Sequence, residues 1–326
     1  MKSTAIAPSN IAFIKYWGMK DSAIFLPCNS SISMNLSNLL TKTTIEFSEE
    51  YKEDKVYLNG IFDEKVTIRA KKQIDLLRTI AGVEIFAKIV SENNFPTSTG
   101  LSSSASGFAA LTVATAGALG LRLSEKELTI LTRKSSSGSA SRSIPDGFVE
   151  WKEGSDDATS YAYSMNTPDH WDIIDVIAVV SSGPKDVATI DGHKLAYTSP
   201  FFETRINKLK NKVQECKKHI TEKNFIGLGE LCEAEALELH AIMITSTPSL
   251  IYWLPQTVLL MKFVQHLRRD GLPVYFTLNT GQDVHILVQT QHKDILIKEL
   301  HTLDYVNKII ENRASKGAHL IEDHLF

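Results

Sequence analysis

Apolar and polar positions divide this chain into short strands and longer helices. Residues 86–90 read as a short buried strand, and residues 109–119 are small, apolar and proline-free, predicting a tightly packed helix. Between them lies Asn94-Phe-Pro-Thr-Ser-Thr-Gly-Leu-Ser-Ser-Ser-Ala-Ser-Gly107, a hydroxyl- and glycine-rich turn from strand into helix. Earlier, residues 5–12 predict a strand and a loop, residues 43–47 and 55–58 a strand pair, and Asn59-Gly60 a tight turn. Residues 65–81 carry leucine and isoleucine at helical spacing, and Ser124 with Glu127 forms a capping box that opens another helix. Residues 148–151 and 175–180 read as strands. Composition turns polar around residues 181–193, which places a boundary between domains of residues 1–185 and 186–326.

The second half opens at Thr198-Ser199-Pro200, where cap residues precede a proline suited to a first helical turn. Helices are expected up to Ile220, over 230–242, and over 256–269, the last stopped by Gly271. Strands are expected at 274–278 and 284–288, then a helix from Lys293 and a short strand at 318–321. Helices on one face of a small antiparallel sheet make an α+β domain.

Composition narrows the function. The 326 residues allow two domains, and 43% hydrophobic with 22% charged residues are ordinary for a folded core. A net charge of −3 gives no broad basic field, so nucleic acid is not expected as a partner. Cys28, Cys216 and Cys232 lack metal spacing and fit free thiols in a reducing compartment. The start lacks the long apolar core of a secretory signal, and no apolar run is long enough for a membrane span.

The turn before residues 109–119 is suited to phosphate. The first N–H groups of a helix lack internal partners, the helix dipole adds positive charge, and serine hydroxyls add donors. No lysine follows the serines, so the Walker pattern is absent. Lys15 lies among Ile14, Tyr16 and Trp17, either lying along an apolar surface or aimed at an anion. Arg142 sits in a second hydroxyl-rich segment, Arg133-Lys-Ser-Ser-Ser-Gly-Ser-Ala-Ser-Arg-Ser143. Leu26-Pro-Cys-Asn-Ser-Ser-Ile-Ser33 could bind a polar ligand or simply turn the chain. His240, on an apolar helix, reads as packed or capping, and His285 as a half-exposed strand residue.

Four segments together resemble the mevalonate diphosphate decarboxylase family of the GHMP kinase superfamily. They are Asn-Ile-Ala-x-x-Lys-Tyr-Trp-Gly, Leu-Pro-x-Asn-Ser-Ser-Ile-Ser, Ser-Glu-Asn-Asn-Phe-Pro-Thr-x-x-Gly-Leu-x-Ser-Ser-Ala and Ser-Gly-Ser-Ala-x-Arg-Ser. The resemblance covers nearly the whole chain. It implies a two-domain α+β fold, with an N-terminal ribosomal-protein-like ATP-binding domain and a C-terminal ferredoxin-like domain. It implies ATP and Mg²⁺, mevalonate 5-diphosphate as substrate, isopentenyl diphosphate as product, a cytoplasmic location and a homodimer. By position, Ser98, Gly100, Ser102, Ser103 and Ser104 would wrap the ATP phosphates, with Thr189 touching them. Lys15 would offset negative charge at the transferring phosphoryl group. Arg142 would clamp the substrate carboxylate, Ser137 and Ser139 would bind its acidic groups, and Tyr16 and Trp17 would shape the pocket floor. No protein side-chain metal set is expected, the Mg²⁺ being held by phosphates and water.

The sequence departs from the family in three places. Asn279 stands where the family has the aspartate given the role of base, and asparagine is no base near neutral pH. Met19 replaces a common lysine near the phosphorylated tail, and Pro145-Asp146 replaces an apolar residue and glycine. Three readings follow: a decarboxylase that relies on positioning, one in which Asp146 or Asp283 stands in for the aspartate, or an enzyme with an altered mevalonate-type substrate or outcome. A relative that only binds ATP, or a non-enzymatic binding module, is the contrasting class.

Overall fold

The computed structural model describes residues 1–95, 101–134, 137–181, 183 and 189–326. The first lobe opens with β1 (Lys2–Ile14), β2 (Met19–Asp21), β3 (Leu26–Pro27), β4 (Ser31–Phe47), β5 (Lys55–Leu58) and β6 (Ile61–Phe62). Helix α1 (Glu64–Ala81), β7 (Ala87–Asn93), α2 (Ser103–Ala118), α3 (Glu125–Arg133), β8 (Phe148–Trp151) and β9 (Ala162–Asn166) continue it. The second lobe holds β10 (Ile173–Val179), α4 (Thr189–Leu195), α5 (Phe202–Thr221), α6 (Phe225–Ile244), α7 (Pro255–Arg269), β11 (Val274–Thr277), β12 (Val284–Gln289), α8 (Lys293–Leu300) and β13 (Lys308–Arg313). Strand β14 (His319–Ile321) returns to pair with β1.

Local chemistry sets these elements. Asp63 caps α1 by accepting the Val66 N–H, and Gly82 ends it in a left-handed conformation at φ 67° that costs glycine little. The capping box at α3 forms as expected. Helix α2 is packed on most of its circumference, which explains its small residues. Its buried Thr112 and Thr115 hydroxyls are satisfied by donating to the carbonyls four residues back, at 2.8 and 2.7 Å.

The first sheet runs β14–β1–β4–β7–β5–β6, with β8 against the start of β4 and β9 outside it. The second is antiparallel, in the order β11–β12–β10–β13. Its outer face packs Val176 and Ile286 under α7 and α8. Its inner face joins α5, α6 and the first sheet in one core that includes Ile11, Phe13, Met34, Phe148, Ile177, Leu231 and Leu287. Each such residue contributes about 1.5–3 kcal/mol of burial, so the lobes are welded along this seam.

Several expectations need correction. Strand β4 is 17 residues long, not confined to residues 43–47. Its inward Ser31, Ser33 and Asn35 are buried yet polar, so the stretch carried no apolar signal. Strand β10, assigned by composition to the first domain, is an inner strand of the second sheet. The polar stretch after it follows a buried strand and does not mark the lobe boundary. His285 is not half-exposed: it is 1% exposed and pairs with buried Asp175, Nδ1 to Oδ2 at 2.9 Å.

Candidate functional site

The site forms where β1 ends, beside the N-terminus of α2. Ser102 precedes that helix at φ 57°, an uncommon conformation for a residue with a side chain, and makes no side-chain cap. The first turn also carries no acidic residue. No side chain caps its leading amides, and the Ala105 N–H donates to the Ser102 carbonyl at 2.8 Å. Ser103 and Ser104 also line a cavity of ≈ 250 Å³ between α1, α2 and β7, with Phe108, Ile89, Asn93 and Arg69. The Arg69 guanidinium lies 5.0 Å from the Phe108 ring centre. Ser98 and Gly100 lie outside the described residues.

Asn10 ties the two hydroxyl-rich segments together. Its Nδ2 donates to the Ser143 hydroxyl at 2.9 Å and the Ser139 carbonyl at 3.3 Å. Its Oδ1 accepts from Arg142 Nη2 at 3.2 Å, and its carbonyl accepts from Asn279 Nδ2 at 3.3 Å. Asn279 Nδ2 donates again to the Ser102 hydroxyl at 3.0 Å. A carbonyl can only accept, so the Asn279 amide nitrogen must face Asn10. His240 Nε2 holds the Asn279 carbonyl at 3.1 Å by the same logic. Burial keeps that imidazole neutral, its pKa pushed down to about 3.

Arg142 is 3% exposed and sits on a 3₁₀ turn, Gly138–Ser143. It donates to Ser33 at 3.1 Å, Ser31 at 2.5 Å and Asn10, all neutral, and among the described residues no carboxylate pairs with it. Burial pushes its pKa down to about 10. Lys15 is 2% exposed, and its Nζ donates to the Ala12 carbonyl at 2.6 Å. Burial lowers it to about 7, against the field of Cys232 and Glu235 and helped by the Arg142 charge. Two desolvated basic groups that feel each other's charge are suited to an anion.

Ser137 and Ser139 lie on the same turn, their hydroxyls 3.4 Å apart, and both are partly exposed. Tyr16 is partly exposed, its ring 4.7 Å from Trp151 and 4.3 Å from His193. The Thr189 hydroxyl meets that of Thr280 at 2.9 Å, on the Asn279 turn. Trp17 does not line the cleft. It is 0% exposed in a cluster with Phe202, Leu239 and Met243, because an indole next to a buried glycine turn packs inward.

Asp146 corrects another expectation. Its carboxylate is exposed and accepts the Gly317 N–H at 2.7 Å, so it shapes a turn and does not stand in for a base. Gly147 follows at φ 70°, where an added Cβ would lie 2.3 Å from the Asn166 carbonyl. Asp283 is buried and accepts the Val180 N–H at 3.0 Å. Asn10, Ser31 and Ser33 were not singled out individually in the sequence, although they form the Arg142 cage. Their signal was the run of hydroxyl and amide residues in both opening motifs. Among the described residues no group of three His, Cys, Asp or Glu side chains could hold a metal, and no helix is long and apolar enough to cross a membrane.

With this geometry established, known proteins supply a comparison. Residues 7–162 match the profile of the diphosphomevalonate decarboxylase-like N-terminal domain, and residues 175–322 that of the mevalonate 5-diphosphate decarboxylase C-terminal domain. The diphosphomevalonate decarboxylase of Debaryomyces hansenii is 34% identical, over 94% of this chain and 84% of its own. The phosphomevalonate decarboxylase of Haloferax volcanii is 31% identical, over 90% of each chain. The solved structure of MDDEF in complex with MVAPP, AMPPCP and magnesium superposes with a TM-score of 0.93 at 36% identity, covering 99% of each chain.

Proposed function

This chain belongs to the diphosphomevalonate decarboxylase family, and from that premise we propose that it decarboxylates mevalonate 5-diphosphate at the expense of ATP. The 3-hydroxyl oxygen takes a phosphoryl group. The C3–O bond then breaks with phosphate as leaving group. The C1–C2 bond breaks to release CO₂, and its electron pair becomes the C2=C3 double bond of isopentenyl diphosphate. ATP with Mg²⁺ supplies the phosphoryl group and converts a poor leaving group into a good one.

The residues fit that chemistry. The uncapped start of α2, with Ser102, Ser103 and Ser104, suits phosphate oxygens, and the adjoining cavity at Phe108 and Arg69 suits a purine ring. Thr189 stands at the rim of the same region. Arg142 would hold the substrate carboxylate until CO₂ forms, with Ser137 and Ser139 beside it. Lys15 would offset charge on the phosphoryl oxygens, and an incoming anion would favour its protonated form. Tyr16 would close the pocket wall. Asn279 has both amide hydrogens committed, so its Oδ1 is the atom left to orient the 3-hydroxyl. Loose phosphoryl transfer depends mainly on such positioning. A cytoplasmic homodimer completes this reading.

The observation that carries it is Arg142, buried with no carboxylate partner among the described residues and within the field of Lys15. The test is to incubate the protein with ATP, Mg²⁺ and each of mevalonate, its 5-phosphate and its 5-diphosphate, following CO₂ and ADP separately. The 5-diphosphate should give both products in equal amounts. ADP without CO₂ would mean a 3-kinase, and neither product would leave only an ATP-binding relative. A second reading, the 5-phosphate as substrate, is favoured by Met19 and by the engagement of neighbouring Lys20 with Glu153 at 3.7 Å. The Haloferax volcanii relative carries the matching name.

A further inference from the structure

Lys15 lies one residue past the end of β1, so its peptide groups have no place in the strand ladder. Buried backbone groups need partners, and here side chains of the second lobe provide them. The Lys15 N–H donates to Glu235 Oε2 at 3.2 Å. The Lys15 carbonyl accepts from Arg205 Nη2 at 3.1 Å and from Asn29 Nδ2 at 3.0 Å. Arg205 Nη2 also reaches Glu235 Oε2 at 2.9 Å, which closes a ring around the N–H and C=O of one residue. Lys212 binds the other Glu235 oxygen at 3.0 Å and Glu238 at 2.6 Å.

Glu235 is 0% and Arg205 4% exposed. A buried ion pair is a poor source of stability, since desolvation offsets its attraction. This one is also incompletely used: Arg205 Nε and Nη1 have no hydrogen-bond partner among the described residues. What it does achieve is geometric, because α5 and α6 grip the residue at which the β1 strand delivers its cation to the cleft.

We propose that Arg205 and Glu235 are positioning residues for Lys15, a clamp from the second lobe that fixes the peptide from which the Lys15 ammonium is aimed at the reacting groups. This rests on the reading of Lys15 given above. The clamp also carries charge. The ionisable groups around Lys15 are Cys232, Glu235 and His240 on α6, Arg205 on α5, Arg142 on the 3₁₀ turn and Asp175 on β10. Of these, Glu235 both touches the Lys15 peptide and favours the charged ammonium.

Glu235→Gln keeps the shape and an acceptor for the Lys15 N–H but removes the charge. Steady-state CO₂ release should show kcat lowered about 10- to 100-fold. KM for ATP and the acid should stay within about threefold. The basic limb of the kcat/KM profile should move to lower pH, because the ammonium loses its neighbouring carboxylate. A wild-type kcat for Glu235→Gln, or a loss of turnover with an unmoved basic limb, overturns the clamp. If that variant does not fold, Arg205→Lys carries the test: an ammonium cannot reproduce the planar fork, so kcat should fall while KM holds, and wild-type turnover overturns the proposal. Lys15→Met in the same assay separates the two levels. Wild-type turnover there sinks the reading of the site, whereas a dead Lys15→Met beside normal Glu235→Gln and Arg205→Lys sinks only the clamp.

Discussion

Two arginines of the first lobe are almost equally buried and differ in their company. Arg78, at the end of α1, is 6% exposed and binds Asp54 through both terminal nitrogens and Asp75 at 2.9 Å. Burial works to lower its pKa, but the Asp54 and Asp75 partners outweigh that and leave it raised. Arg142, at 3% exposure, has hydroxyls and an amide around it and no acid partner among the described residues, and its pKa falls. The first cation is neutralised by the fold. The second is held in place with its charge unspent, an arrangement that costs stability and gains meaning only with an anion present. Within one lobe, the partner's charge separates Arg78, paired by the fold, from Arg142, which is proposed to hold the substrate carboxylate.

The strongest way to break this contrast is to remove each guanidinium. Arg142→Met should cut turnover about 100- to 1,000-fold, with a melting temperature no lower than that of the parent. Arg78→Met should do the reverse, costing about 3–5 kcal/mol in denaturant unfolding because two acids lose their partner, with normal turnover per folded molecule. Equal effects on both quantities would erase the distinction.

Lys15 extends the comparison to pH. Its folded pKa of about 7 lies below the ordinary 10.5, so between those values the unfolded chain binds the extra proton. Its contribution to stability therefore grows as pH rises through that window and is lost as pH falls toward 7. Lys15→Met should flatten this rise in unfolding measurements from pH 7 to 10, raise stability near neutrality and abolish turnover. An unchanged slope would show that the lysine is not desolvated.

Asn279→Asp sharpens the picture at the next scale. The amide donates to the Asn10 carbonyl and the Ser102 hydroxyl, and a carboxylate would repel the first. The substitution should cost about 1–3 kcal/mol and bring no gain in kcat. A tenfold gain would mean that the site still awaits the family carboxylate. The smallest effect belongs to Asp146→Ala, which loses one turn-shaping bond to Gly317 worth about 1 kcal/mol. Turnover should be unchanged, and a large loss would return Asp146 to the cleft.

How much was legible follows from the range of each interaction. Capping at Ser124, the turn at Asn59-Gly60, and the periodicity of α1 and α7 are local, and the structure carries them much as written. Strand β4 was shortened because its polar residues face a buried hydroxyl cluster, and β13 was lost because it is a polar strand at the edge of its sheet. Lys15 and Arg142 stand out in the sequence because their neighbours are distinctive, and both side chains are buried in the structure. The Arg205–Glu235 clamp was not, since residues 190 and 220 positions from Lys15 leave no mark near it. Asp146 misled because an aspartate that shapes a turn and one that takes a proton look alike until the Gly317 amide is seen.

The return of β14 to β1 has a mechanical consequence. The backbone passes from the first lobe to the second and comes back, so the joint has two strands of covalent tether flanking a shared apolar weld. Such a body cannot open like a clam about a single flexible link. It should melt as one block, and a nick in the segment before β10 should leave both pieces bound together and neither able to stand alone.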